Sequence, residues 1–158
     1  MLLSEKPGLM QKVEVLPLVL SDIPEALILE NKYFSVPWSE KVFIDTLNDK
    51  SSYMICAKIN SKLVGYAGMY IAADSEGYIY NIVVDEKFRG MKIATKMVEN
   101  LINYSKKLNL EFLSLEVRES NFVAICLYEK CGFKKCGLRK NFYDLPKENA
   151  LIMTINFK

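Results

Sequence analysis

One change of hydrophobic period restricts this chain more than any other feature. Tyr78–Val84 is a near-continuous apolar run, the pattern of a strand covered on both faces. After Arg89-Gly90 the period becomes helical. Ile93, Ala94, Met97, Val98, Leu101, Ile102 and Leu108 recur along one face, and Lys96, Glu99, Asn103, Lys106 and Lys107 fill the other. Phe112–Val117 then reads as a strand again. A strand, helix and strand joined by short links form a crossover unit, which should be right-handed and should join neighbouring strands.

The flanking segments extend this unit. Val13–Val19 reads as a first strand. Ser21 or Asp22 can cap a helix that has Pro24 in its first turn and apolar positions at Ala26, Leu27 and Tyr33. Pro37 interrupts, and Ser39 caps a second helix, Glu40–Asn48. Ser52–Ile59 and Leu63–Ala72 read as a hairpin joined by Asn60-Ser61-Lys62. Downstream, Asn121 can cap a helix over Phe122–Cys131, with Gly132 where a left-handed cap is needed, and Lys134–Arg139 and Leu151–Phe157 finish as strands. The order is β-α-α-β-β-β-α-β-α-β-β, an antiparallel meander followed by a crossover, which implies a layered α/β or α+β fold. Residues 1–12 read as a tail and 13–158 as one domain.

Composition narrows the function. The 158 residues are 51% hydrophobic and 25% charged, a globular balance. No apolar run approaches the roughly 20 residues of a membrane span, and Met1–Gly8 lacks the basic start and apolar centre of a signal peptide. The net charge of +2 is too small to make nucleic acid or a membrane surface the main partner. A cytoplasmic monomer or weak dimer is expected.

Histidine is absent, which removes imidazole bases, His-based zinc sites and Ser-His-Asp or Cys-His catalysis. Cys126, Cys131 and Cys136 are evenly spaced but match no zinc pattern, and five helical positions turn a side chain by about 140°. They read as reduced structural thiols, and no metal is expected.

Two constellations carry chemistry. The turn Val84-Asp85-Glu86-Lys87-Phe88-Arg89-Gly90-Met91-Lys92-Ile93-Ala94 leads a strand into a helix through glycine and basic residues. Free N–H groups and a positive dipole end would suit a pyrophosphate there, with charge from Arg89 and Lys92. A solvated basic loop is the plainer reading of the same residues. Glu116, in turn, interrupts an apolar strand, where a carboxylate is costly unless it is paired or opens on a cleft. Tyr128, on the following helix, can bring a phenol to the same opening, and carboxylate and phenol make a workable base and acid. A structural ion pair at Glu116, to a partner other than Arg118, and a core position for Tyr128 stand as the alternatives.

Taken together, these segments resemble the GNAT acetyltransferases, whose cofactor motif (Gln/Arg)-x-x-Gly-x-(Gly/Ala) corresponds here to Arg89-Gly90-Met91-Lys92-Ile93-Ala94. More narrowly, the chain is similar to the branch that acetylates the N-terminal alanine of a small-subunit ribosomal protein. That similarity rests on Val36–Glu40, Asn81–Asp85, Leu115–Asn121, Ala124–Phe133 and Arg139–Tyr143, in order from about residue 13 to the C-terminus. The resemblance implies the GNAT fold, a mixed central sheet flanked by helices, with acetyl-CoA as co-substrate.

It also implies roles. Glu116 would be the general base and Tyr128 the general acid. Ile82, Val83 and Val84 would hold pantetheine and thioester through their backbones, Arg89, Gly90, Met91, Lys92, Ile93 and Ala94 the pyrophosphate, and Asn121 and Tyr128 the cofactor near its pantetheine end. Trp38 and Tyr143 would shape a peptide groove. The departure is Lys92, where the family has glycine; its N–H can still reach phosphate from a helical conformation, without glycine's open approach. The acceptor is left open between an N-terminal α-amine, a lysine and a small amine, with a CoA-binding regulatory module as the non-catalytic alternative. Basicity favours the first. Neutralising an α-amine at pH 7 costs about 1.4 kcal/mol, a lysine about 4.6 kcal/mol.

Overall fold

The structure, a computed structural model, describes residues 11–158. The tail expected over residues 1–12 therefore lies almost wholly outside the described residues. Seven strands and four helices follow in the expected order: β1 Val13–Pro17, α1 Ile23–Tyr33, α2 Glu40–Asn48, β2 Ser52–Ile59, β3 Lys62–Ala72, β4 Glu76–Val84, α3 Ile93–Lys107, β5 Phe112–Arg118, α4 Phe122–Lys130, β6 Lys134–Asp144 and β7 Lys147–Asn156. They form one mixed sheet in the order β1-β2-β3-β4-β5-β7-β6. β4 and β5 are its parallel neighbours, joined by α3 as the crossover pattern required, and all other pairs are antiparallel. No helix among the described residues is long and apolar enough to cross a membrane.

Both sheet faces are covered, by different helices. Met97, Val98 and Leu101 of α3 and Ile125 of α4 bury one face with Leu113, Leu115 and Val117 of β5. Ala26 and Leu29 of α1 and Phe43 of α2 cover the opposite face of β2–β4, over Met54, Cys56 and Tyr66. Because β5 alternates, Ser114, Glu116 and Arg118 point away from the α3 side.

Several local expectations change. The Asp22 side chain does not cap α1. Its Oδ2 accepts from Val19 N at 2.9 Å, and Oδ1 pairs with Lys58 Nζ at 2.7 Å, so a strand takes the charge. α3 stops at Lys107, and Leu108, expected on the buried face, is 41% exposed while Leu110 is buried. The last hairpin is longer than expected. β6 runs on to Asp144 and β7 starts at Lys147, because edge-strand pairing continues through polar residues that leave no apolar period to read. The turn at Asn60-Ser61 is two residues, both with positive φ (50° and 66°), and Lys62 already belongs to β3. Gly132 takes the left-handed cap after α4 with φ 105°.

Candidate active site

β4 and β5 are paired only at their starts, Glu76 with Phe112, Gly77 with Leu113 and Tyr78 with Ser114. Beyond Tyr78 the strands part. The register supplies a cause: Gly68 faces Asn81 and Met69 faces Ile79, so Tyr80 is an extra residue in β4, a bulge that bends the strand. Gly68 is required there, since a Cβ would collide with the Tyr80 ring lying across it. The Tyr80 hydroxyl meets Ser52 Oγ at 3.2 Å, and burial pushes its phenol up to about 12.

The wedge between the parted strands opens into a cleft of about 780 Å³ at their carboxyl ends, where ligands of open α/β sheets sit. On the β4 side, Ile82, Val83 and Val84 line it with no β5 partner, so the backbone groups directed away from β3 face the cleft. An extended pantetheine can pair with such an edge.

The phosphate turn closes one end. Asp85 Oδ1 accepts from Lys87 N at 3.2 Å and starts a 3-10 turn over Glu86–Phe88. Gly90 follows with φ 82°, and a Cβ there would meet nothing within 4 Å, so the loop leaves open space above its backbone. Lys92 precedes α3 with φ 60° and ψ 25° and gives no side-chain cap. This corrects the helical conformation expected for it: the glycine of the motif marks a left-handed position, and lysine occupies it at a cost of about 1 kcal/mol. The uncapped first turn leaves its N–H groups facing the cleft, lined by Lys92, Ile93, Ala94 and Thr95. α2 and α4 differ: Ser39 Oγ accepts from Val42 N at 3.3 Å, and Asn121 Oδ1 from Ala124 N at 3.2 Å.

Of the expected cofactor residues, Ile82, Val83, Val84, Arg89, Gly90, Lys92, Ile93, Ala94, Asn121 and Tyr128 line this cleft. Met91 does not; it packs against the core. Sequence reasoning missed Tyr33 and Phe34, which line the cleft from the end of α1. Tyr33 braces the turn: its hydroxyl accepts from Glu86 N at 2.7 Å, and the Arg89 guanidinium lies 5.2 Å from its ring centre. Val123 was also missed. It is 84% exposed in the first turn of α4, and an apolar residue there is the signal that marked it.

Glu116, Trp38 and Tyr143 stand outside the cleft lining. Glu116 is half-buried on β5, and its Oε1 forms an ion pair with Arg139 Nε of β6 at 2.9 Å. The ion pair anticipated for this carboxylate is therefore present, and its partner is not Arg118. Burial and the Glu116 charge raise the Tyr143 phenol, while burial and then Tyr143 raise Tyr128 well above its ordinary value. No hydrogen bond within the described residues holds the Tyr128 hydroxyl, which leaves its proton free for the cleft. Trp38 packs with the α1–α2 side of the sheet, its ring 5.3 Å from Tyr80, and its backbone N–H donates to Glu30 Oε1 at 2.9 Å.

A bulged strand, a splayed parallel pair and an uncapped helix start give a cleft with a free strand edge along one wall and an anion-suited helix start at one end. The acetyltransferase (GNAT) family model matches residues 23–133, and the chain belongs to that family. It is an N-acetyltransferase with acetyl-CoA as co-substrate. It is similar to the [ribosomal protein bS18]-alanine N-acetyltransferase of Escherichia coli (strain K12), 32% identical over 137 residues, 85% of this chain and 91% of that protein. A Bacillus subtilis (strain 168) protein provisionally given the same activity is 35% identical over 149 residues, 92% of this chain and 97% of its own. The crystal structure of the ribosomal-protein-S18-alanine N-acetyltransferase from Escherichia coli superposes with a TM-score of 0.83 at 30% identity, covering 93% of this chain and 95% of that one.

Proposed function

We propose that this chain acetylates the N-terminal α-amine of a protein, and specifically the N-terminal alanine of a small-subunit ribosomal protein in the cytoplasm. The observation that carries the reading is the near full-length similarity to relatives named for that acceptor, joined to a phenol, Tyr128, in the cleft lining and a carboxylate, Glu116, on the neighbouring strand β5.

In this reading the residues divide as follows. Backbone groups of Ile82, Val83 and Val84 align the pantetheine and donate to the oxyanion as it forms. Arg89, Gly90, Lys92, Ile93 and Ala94 hold the phosphates through N–H groups and two cations, with Met91 supporting the turn from the core and Asn121 at the pantetheine end. Trp38 and Tyr143 flank the incoming peptide. Glu116 takes one proton from the acceptor ammonium, directly or through water. The amine nitrogen then bonds to the acetyl carbon, the C–S bond breaks, and Tyr128 protonates the departing thiolate; the second nitrogen proton is shed as the amide forms, which restores the phenol. Raised by burial, Tyr128 keeps its proton at neutral pH until the thiolate develops.

The test is release of CoA thiol with a panel of peptides. An Ala-initiated peptide should turn over at least tenfold faster, in kcat/KM, than the same peptide with a blocked N-terminus and one internal lysine. Equal rates would remove the α-amine reading and leave a lysine enzyme.

A further inference from the structure

Two arginines stand near Glu116, and they are used in opposite ways. Arg118 is committed. It donates to Pro146 O at 2.9 Å and Leu145 O at 3.1 Å, reaches Glu148 at 3.4 Å, and lies 4.2 Å from the Tyr143 ring centre. It pins the β6–β7 turn and, with it, Tyr143.

Arg139 makes one polar contact among the described residues, Nε to Glu116 Oε1. Its side chain is 57% exposed and lies on the outer strand β6, beside the Phe142 ring, where the β6–β7 register becomes irregular. Its other guanidinium nitrogens meet no acceptor among the described residues. An arginine held so lightly can leave. The carboxylate it would leave behind is half-buried, and an uncompensated charge in that setting is unfavourable. Departure is therefore easy only when another cation arrives.

Resting on the reading of Glu116 as the base, we infer that Arg139 is the resident stand-in for the acceptor's ammonium. It neutralises Glu116 while the acceptor site is empty and gives way when a cationic amine binds. The exchange of guanidinium for ammonium keeps the carboxylate paired throughout. It also selects. A hydroxyl or an already acylated terminus brings no charge to displace Arg139, so the base remains blocked. Once the ammonium has passed a proton to Glu116, the neutral carboxyl no longer attracts Arg139, and the free amine faces the thioester without a competing donor. Arg139 is thus a positioning and specificity residue, not a catalytic one.

Arg139→Met removes the competing cation while keeping an unbranched apolar side chain at the position. Its acceptor KM should fall about two- to fivefold, the range a partly exposed ion pair is worth. The gain should fall on KM rather than kcat, and acetyl-CoA affinity by calorimetry should not move. Added methylguanidinium should inhibit this variant competitively against the peptide, by refilling the place of the lost side chain. Arg139→Lys should keep a KM near that of the parent chain. An acceptor KM that rises in Arg139→Met with its melting temperature retained would make Arg139 a peptide contact and overturn the inference. So would a melting temperature that drops in Arg139→Met and returns in Arg139→Lys with KM unmoved, which marks a purely structural pair. Glu116→Gln separates the two levels: undiminished turnover there defeats the base itself, whereas lost turnover together with a raised KM in Arg139→Met defeats only the stand-in.

Discussion

The cleft proposed for the donor and the side proposed for the acceptor are built by opposite means. The cleft relies on backbone: an unpaired strand edge after a bulge, an uncapped helix start and a glycine over open space. The acceptor side relies on particular side chains, Glu116 with Arg139, Tyr143 with Arg118, and Trp38 held by Glu30. Backbone sites tolerate changes of side chain, which is how lysine can occupy a left-handed position that suits glycine. Side-chain sites do not, so single substitutions should cost far more on the acceptor side than in the cleft.

The largest effect should come from Glu116→Gln. A positioned base contributes about 10²–10⁴ in rate, so kcat should fall by at least about a hundredfold at pH 7, while the calorimetric Kd for acetyl-CoA moves less than about twofold. Tyr128→Phe comes next, with a loss of about ten- to a hundredfold, since a thiolate departs more readily than an alkoxide. Its melting temperature should hold within a few degrees; a collapse would make the tyrosine chiefly a core residue, packed as it is 5.9 Å from Phe133.

Lys92→Asn should be milder. Asparagine accepts the left-handed conformation but carries no charge, so the change isolates the ammonium from the backbone. The Kd for CoA should weaken about two- to fivefold at low salt and converge with the parent value as salt rises. A Kd that tightens would mean that Lys92 obstructs the phosphates.

The smallest effect concerns Glu30. It is 1% exposed, and Oε2 has no hydrogen-bond partner. Burial raises its carboxyl above the ordinary value, with the Trp38 N–H opposing. A folded-state value above the unfolded one means that stability is lost as pH rises through it. The melting-temperature difference between Glu30→Gln and the parent should therefore shift in favour of glutamine between pH 4 and pH 7, by a few degrees. A difference independent of pH would show that folding does not shift the Glu30 carboxyl, and a shift in favour of the parent would show that Glu30 stays ionised in the folded state.

The same contrast explains what the sequence made legible. The crossover around α3 was readable because helical and strand periods differ sharply there, and the phosphate turn because glycine and basic residues interrupt them. The Tyr80 bulge was not: one extra residue in a strand leaves the composition unchanged and is visible only in register with β3. Residues 140–149, where Phe142, Tyr143 and Leu145 sit among polar residues without a strand period, hid the length of the last hairpin, and with it the place of Tyr143. Glu116 was legible as an anomaly in an apolar strand. Its partner Arg139 was not, since the two meet only through the β5-β7-β6 order of the sheet.

The most direct measurement offers the chain one peptide with a free N-terminal alanine and a free internal lysine, and locates the acetyl group by fragmentation mass spectrometry. Acetylation of the alanine nitrogen in large excess over the lysine is the expected result. Acetyl found mainly on the lysine would contradict N-terminal specificity while leaving the donor cleft as described.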